Sequence, residues 1–267
     1  MKELVVRSIS GLLYISIVIF SLYTSREGFL LLFLILGLVT IGEFLKLIRH
    51  SSLAAFLLLP VFLYFFSYDI FDDRAVLLLL FLTLIVNLFL LKDLLQINRI
   101  PMFERKKYVS IILYLISGFV FLTLIPWRDQ TYFPEIIVGL FIMIWSNDSF
   151  AYLIVKNFGK RKLLSRISPK KTVEGFIGGL IGSLIASVAV YSYFGHFPLW
   201  MWIAMAAIAS VFGTAGDLIQ SRYKRQAGVK DSGALMPGHG GLYDRLDSII
   251  YVSPFVYAFL EFADYVS

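Results

Sequence analysis

The run AVLLLLFLTLIVNLFLL, residues 75–91, carries no formal charge and has only Thr83 and Asn87 as polar side chains. A helix needs roughly 17–25 mostly apolar residues to cross a bilayer. This run meets that length, and Arg74 and Lys92 bracket it. It reads as a membrane-spanning helix, and that reading decides the fold class.

The rest of the chain agrees. Hydrophobic residues make up 59% of the 267 residues and charged residues 16%, whereas a soluble domain has about 45–50% and about 25%. Eight further apolar stretches join residues 75–91: 8–24, 28–45, 52–69, 108–126, 135–155, 175–194, 199–219 and 244–262. The predicted fold is therefore all-α, a polytopic integral membrane protein of about nine transmembrane helices. The second stretch begins almost as the first ends, so its full crossing is left open. Pro60 lies within the third as a tolerated kink. The first follows Lys2 and Arg7 as a signal peptide would, but no small-residue cleavage site comes after it, so it reads as a retained helix.

Nine spans put only Arg26, Arg74 and Arg128 on one side of the membrane, out of 24 Lys and Arg. Positive charge stays in the cytoplasm during insertion. The N-terminus is thus expected in the cytoplasm, in an inner or plasma membrane. The chain has no cysteine, which excludes disulfides, thiolate nucleophiles and cysteine metal sites. The basic loops 92–107 and 156–171 lie beside spans, where they read as topology signals and contacts for anionic membrane lipid, with no nucleic-acid role.

The halves differ in chemistry. Residues 1–133 are Leu- and Phe-rich, with little polar inside the membrane beyond Glu43 and Asn87, and read as scaffold. Residues 134–267 hold Asn147, Asp148, Glu174, Asp217, Asp244 and Asp247 within or next to spans and read as the catalytic region. An Asp at mid-membrane costs about 2.5–3.5 kcal/mol on insertion scales, so these acids are expected to face a wet cavity, a cation or each other.

Several groupings carry chemistry. Asp217, Ser221, Lys224 and Arg225 form one helical stripe with the acid deepest. Asp244 and Asp247 share a face at a helix start, where Asp is also favoured as a cap; the spacing alone leaves metal binding and capping open. The loop PGHGG, Pro237 to Gly241, allows backbone to approach an anion closely, although it also reads as a plain turn. In SPKKTVEGFIGGLIGS, residues 168–183, Lys170 and Lys171 suit phosphate, and Thr172 or Ser168 suits a cap. The pairs Gly175/Gly179 and Gly178/Gly182 predict close helix packing.

Together, SRYKRQAGVKDSGALMPGHGGLYDRLDS, residues 221–248, resembles the signature of the phosphatidate cytidylyltransferase family, the CDP-diacylglycerol synthases. SNDSFAY around Asn147 and Asp148, SPKKTVEG, and FGTAGDLIQS around Asp217 are similar to further family segments in the same order. The resemblance implies transfer of a cytidylyl group from CTP to phosphatidate, Mg²⁺ dependence, and a homodimeric membrane enzyme. On that reading Asp217, Asp244, Lys224, Arg225, Lys230 and Arg245 are catalytic. Asp217, Asp244, Asp247, Asp148 and Asp231 hold Mg²⁺, with a second cation left open. Ser221, Lys170, Lys171, His239, Gly240, Gly241 and Asn147 contact substrates at a site facing the cytoplasm. Two other readings remain: a CTP-dependent kinase for a lipid alcohol, which would need a general base, and a non-enzymatic anion transporter, which would need charge on both sides of the midplane.

Overall fold

A computed structural model describes residues 2–96, 100–238 and 240–266. Its helices are α1 (Lys2–Thr24), α2 (Arg26–Leu47), α3 (Leu53–Leu63), α4 (Asp73–Gln96), α5 (Glu104–Ser110), α6 (Ser117–Leu124), α7 (Pro134–Phe158), α8 (Val173–Phe194), α9 (Leu199–Ala227) and α10 (Tyr243–Val266). A π-helical turn, Tyr64–Tyr68, extends α3, and another, Ile111–Ile116, joins α5 to α6. Every apolar stretch in the sequence is helical. Among the described residues, seven helical segments are long and apolar enough to cross a membrane, while Ile9–Thr24 and Leu53–Tyr68 are shorter apolar helices.

Two small antiparallel hairpins qualify the all-α expectation: β1 (Trp127–Arg128) with β2 (Thr131–Tyr132), and β3 (Lys162–Leu164) with β4 (Ser168–Thr172). Each lies in a loop that the hydropathy pattern leaves undefined. Backbone groups that leave the helix ladder pair with each other there.

Caps explain several boundaries. The Ser25 hydroxyl accepts from Gly28 N at 3.0 Å, which restarts the chain as α2 one residue after α1 ends. Thr172 accepts from Gly175 N at 3.0 Å and opens α8. Of the two residues expected as caps there, Thr172 fills the position. Pro60 lies inside α3, and the π turn begins directly after that helix.

Loop contacts sort the chain ends of the helices into two groups. Arg26 reaches the Ser67 and Tyr68 carbonyls and lies 3.5 Å above the Trp127 ring. Phe133 and His196 rings meet at 4.2 Å, and Arg128 bonds Glu261 at 2.7 Å. The opposite end gathers other loops. Gln226 exchanges two 3.0 Å hydrogen bonds with the Ile100 backbone. Arg166 donates to the Leu94 and Leu95 carbonyls at 3.0 and 2.8 Å. Ser10, near the start of α1, donates to Pro237 O at 3.2 Å.

The core gathers around α6 and α10, where Phe119, Val120, Ile250 and Val252 are fully enclosed. Outward-facing Leu12, Phe20, Leu53, Leu57 and Phe81 stay exposed, as on a surface that lipid covers. The glycine stripe of α8 seats α7. A Cβ on Gly178 would fall 2.4 Å from Ile154 Cγ1, and one on Gly182 would fall 2.4 Å from Phe150 Cγ. The close packing predicted from those glycine pairs is present.

Candidate active site

The ends of α7, α9 and α10 and the β3–β4 hairpin enclose a cavity of about 700 Å³. Asn147 and Asp148 come from α7, Lys170 and Lys171 from β4, Asp217 and Lys224 from α9, and Asp244, Arg245 and Asp247 from α10. Asp231 lines it from the α9–α10 loop. Ten of the residues singled out in the sequence thus share one space, although they span residues 147 to 247.

Helix geometry sets their directions. Asp217 and Lys224 lie two turns apart on α9, and Asp244 and Asp247 three residues apart on α10, so each pair points to one side. Asn147 is wedged in place: its Oδ1 accepts from Ser210 Oγ at 2.7 Å, and its Nδ2 donates to Asp148 Oδ1 at 3.4 Å. Gly179 permits this, since a Cβ there would fall 2.7 Å from that Oδ1.

Charges pair across elements. The Lys171 ammonium contacts the Asp217 carboxylate, which also accepts from Ser221 Oγ at 3.2 Å. Burial works against the Lys171 charge, but Asp217 more than offsets it, and the ammonium titrates above the ordinary lysine value. Asp247 is buried, and its Oδ1 accepts from Ser248 N at 2.7 Å.

Asp244 is saturated by protein donors. Its Oδ1 accepts from Lys224 Nζ at 2.6 Å and Gln220 Nε2 at 2.8 Å. Its Oδ2 accepts from Ser232 N at 2.8 Å, Gly241 N at 2.9 Å and Ser232 Oγ at 3.0 Å. A carboxylate offers roughly four acceptor positions, so five donors leave little free. Gly240, at φ +85°, turns the chain here, and a Cβ on it would fall 2.7 Å from Asp244 Oδ2.

Glu43, in the half of the chain expected to be scaffold, reaches the same region. From α2 it accepts from Leu242 N at 3.0 Å, Tyr243 N at 2.9 Å and Ser232 Oγ at 2.7 Å. It thereby supplies acceptors to the open amides at the start of α10. Gly241, Leu242 and Tyr243 amides are all bonded to carboxylates of the chain itself. Gln220 and Ser232 were also missed, and neither residue type is unusual enough in sequence to stand out. Glu43 did carry a signal, as a lone acid inside an apolar span.

Other expected residues stand apart. Ser221 touches the site only through Asp217. Arg225 is exposed, and its Nε approaches Ile167 O at 3.5 Å. Lys230 and Gly240 line a smaller neighbouring groove with Arg245. His239 lies outside the described residues. Among the described residues, no group of three or more acidic or histidine side chains forms a ready-made metal cage.

The cytidylyltransferase family model matches residues 5–263. The chain belongs to the cytidylyltransferase family. The phosphatidate cytidylyltransferase of Bacillus subtilis strain 168 is 33% identical over 268 residues, covering 97% of this chain and 98% of that protein. The protein of the same name from Staphylococcus aureus strain COL is 50% identical over 120 residues, covering 44% of this chain and 46% of the relative. That from Staphylococcus saprophyticus is 39% identical over 158 residues, 59% of each chain. In these staphylococcal alignments the chain spans about half the length of the relatives it matches. Membership rests on the family model and the near-full-length Bacillus match.

Proposed function

We propose that this cytidylyltransferase transfers a cytidylyl group from CTP to phosphatidate, releasing pyrophosphate and leaving CDP-diacylglycerol in the membrane. The observation that carries the reading is one cavity where Asp148, Asp217 and Asp247 meet Lys171, Lys224 and Arg245. In the reaction, an oxygen of the lipid phosphate attacks the α-phosphorus of CTP, and the bond from that phosphorus to the pyrophosphate oxygen breaks. A phosphomonoester has a second pKa of about 6, so the nucleophile is largely a dianion at neutral pH. No general base is required. The barrier is the approach of two anions, and fixed cations lower it.

The chain's residues divide that task. Lys170, Lys171 and Lys224 grip the triphosphate and the departing pyrophosphate, with Arg245 between the two reactants. Lys224 is held in place by Asp244, and Asp244 by Gln220 and the Ser232 and Gly241 amides. Asn147 lines the same wall and contacts substrate. Arg225, Lys230 and Gly240 lie farther out and steer CTP inward.

The donor set fits Mg²⁺. Five carboxylates line one cavity, and hard oxygen ligands suit that ion. Mg²⁺ commonly takes one or two protein carboxylates and completes its shell with water and phosphates, so it needs no all-protein cage. One or two of Asp217, Asp247 and Asp148 would hold it, with Asp231 at the rim. Asp244 joins them only by giving up a protein donor. Bound there, Mg²⁺ would supply charge neutralisation for the phosphates, as would a second cation beside it.

We also infer nine crossings, with the N-terminus and the site on the cytoplasmic face. Support comes from the alternation of the loops: Arg26, Arg74 and Arg128 belong to the end opposite the cavity, where contacts join the α1–α2, α3–α4 and α6–α7 connections. The enzyme is proposed to work as a homodimer, which crosslinking in membranes would test.

The experiment is incorporation of labelled CTP into a chloroform-soluble product. It is expected to depend on both phosphatidate and Mg²⁺ and to release pyrophosphate. Release of CDP would instead indicate the kinase, and uptake by sealed vesicles without turnover the transporter.

A further inference from the structure

Tyr14 sits on α1, in the half of the chain expected to be scaffold. Its hydroxyl is buried and has no hydrogen-bond partner among the described residues. A buried hydroxyl left without a partner is uncommon, because removal from water goes uncompensated. Tyr14 lines a second cavity, of about 250 Å³, between α1, α7 and the start of α10. Ile15, Phe141, Ile144 and Trp145 give that space apolar walls. It shares Asp148, Asp244, Arg245, Asp247 and Ser248 with the larger cavity, so the two spaces meet at the acids.

The two spaces differ in character. The larger is lined by Lys162, Lys170, Lys171 and Lys224, as a polyphosphate requires. The smaller has no lysine among its lining residues and combines apolar walls with Arg245 and the carboxylates of Asp148, Asp244 and Asp247 at the junction. That combination suits the head of an amphiphile with one phosphate and an apolar continuation. At about 250 Å³ it is too confined for a nucleoside triphosphate.

We propose that the Tyr14 hydroxyl is a substrate contact, donating to a phosphate or ester oxygen of the lipid phosphomonoester held in this smaller cavity. The inference rests on the proposed function and adds to it a residue from α1. The hydroxyl meets the lipid opposite Arg245, while the apolar walls receive the glycerol and the first acyl carbons. It takes no part in bond making. It orients the phosphate so that the attacking oxygen faces the larger cavity, a contribution of alignment rather than of proton transfer.

The test uses the full-length protein in mixed micelles and two separate titrations, phosphatidate at saturating CTP and CTP at saturating phosphatidate. Tyr14→Phe removes only the hydroxyl, which has no protein partner to lose, so Tm is expected to be unchanged. The apparent KM for phosphatidate is expected to rise about tenfold, as when a hydrogen bond to a charged group is lost, with that for CTP within about twofold. Ile15→Trp, which fills the cavity, is expected to weaken phosphatidate and spare CTP in the same way. Unchanged phosphatidate KM in Tyr14→Phe would overturn the inference, as would a parallel loss for both substrates. Wild-type protein that forms no lipid-soluble nucleotide would overturn the proposed function as well.

Discussion

Glu43 Oε2 lies 2.9 Å from Tyr243 N, so a carboxylate of the second helix caps the last one. Two hundred residues of sequence separate the pair, yet the bond fixes where α10 begins and hence where Asp244 and Asp247 point. Gly233 and Gly241 crowd the same carboxylate so closely that a Cβ on either would fall within 2.4 Å of a Glu43 oxygen.

Glu43→Gln puts an amide donor where one of the two backbone donors needs an acceptor. Leaving a buried donor unpaired costs about 1–3 kcal/mol. Lower thermal stability in detergent is expected, together with at least about a tenfold fall in turnover. Glu43→Asp, which keeps the charge but shortens the reach, is expected to recover part of both. Equal behaviour of the Gln and Asp variants would show that the cap does not depend on the carboxylate.

Asp217→Asn removes a charge from the junction of α9 and the β3–β4 hairpin. Turnover is expected to fall at least about a hundredfold, or about 2.7 kcal/mol in the barrier, with the protein still inserted and folded. Size exclusion and labelled-CTP incorporation would read the two quantities. Near wild-type turnover would remove Asp217 from the mechanism.

Lys224 and Asp244 form a shielded pair, with side chains 13% and 7% exposed. Breaking such a pair by removing one partner costs about 3–5 kcal/mol, chiefly because the other charge is stranded. Lys224→Met and Asp244→Asn are each expected to destabilise, and the double variant to cost less than their sum. Denaturant unfolding in mixed micelles measures the cycle; strict additivity would mean the pair is not energetically coupled.

Gly179→Ala adds a methyl 2.7 Å from Asn147 Oδ1 and 2.9 Å from its carbonyl. Overpacking of this kind costs about 1–3 kcal/mol. Because Asn147 adjoins Asp148, activity is expected to fall along with stability. Gly195→Ala meets no neighbouring atom within 4 Å and lies at the other end of α8, though its φ of +65° adds local strain. It should lower stability and leave turnover per folded molecule unchanged.

Chelation should abolish turnover, and Mg²⁺ should restore it. A further readout is thermal stability: an ion that neutralises clustered carboxylates raises Tm in proportion to its occupancy. A Tm indifferent to Mg²⁺ both with and without CTP would count against a protein-bound ion.

Residues 75–91 and the other apolar stretches settle the helical membrane architecture on their own, because a bilayer leaves few ways to satisfy a backbone. The segment 221–248 likewise carries the resemblance to the family, and it supplies four of the nine acids and lysines that line the cavity, Lys224, Asp231, Asp244 and Asp247. Hydropathy is a local property, and so are helix periodicity and signature spacing; each is complete within a window of sequence. Tertiary structure alone decided that Glu43 caps α10, that Asp244 is bound by five protein donors, that Lys171 folds back on Asp217, and that Tyr14 faces the acids. Those facts depend on which helices become neighbours, and that is set by the summed packing of many side chains across the bundle. No stretch of sequence contains that sum.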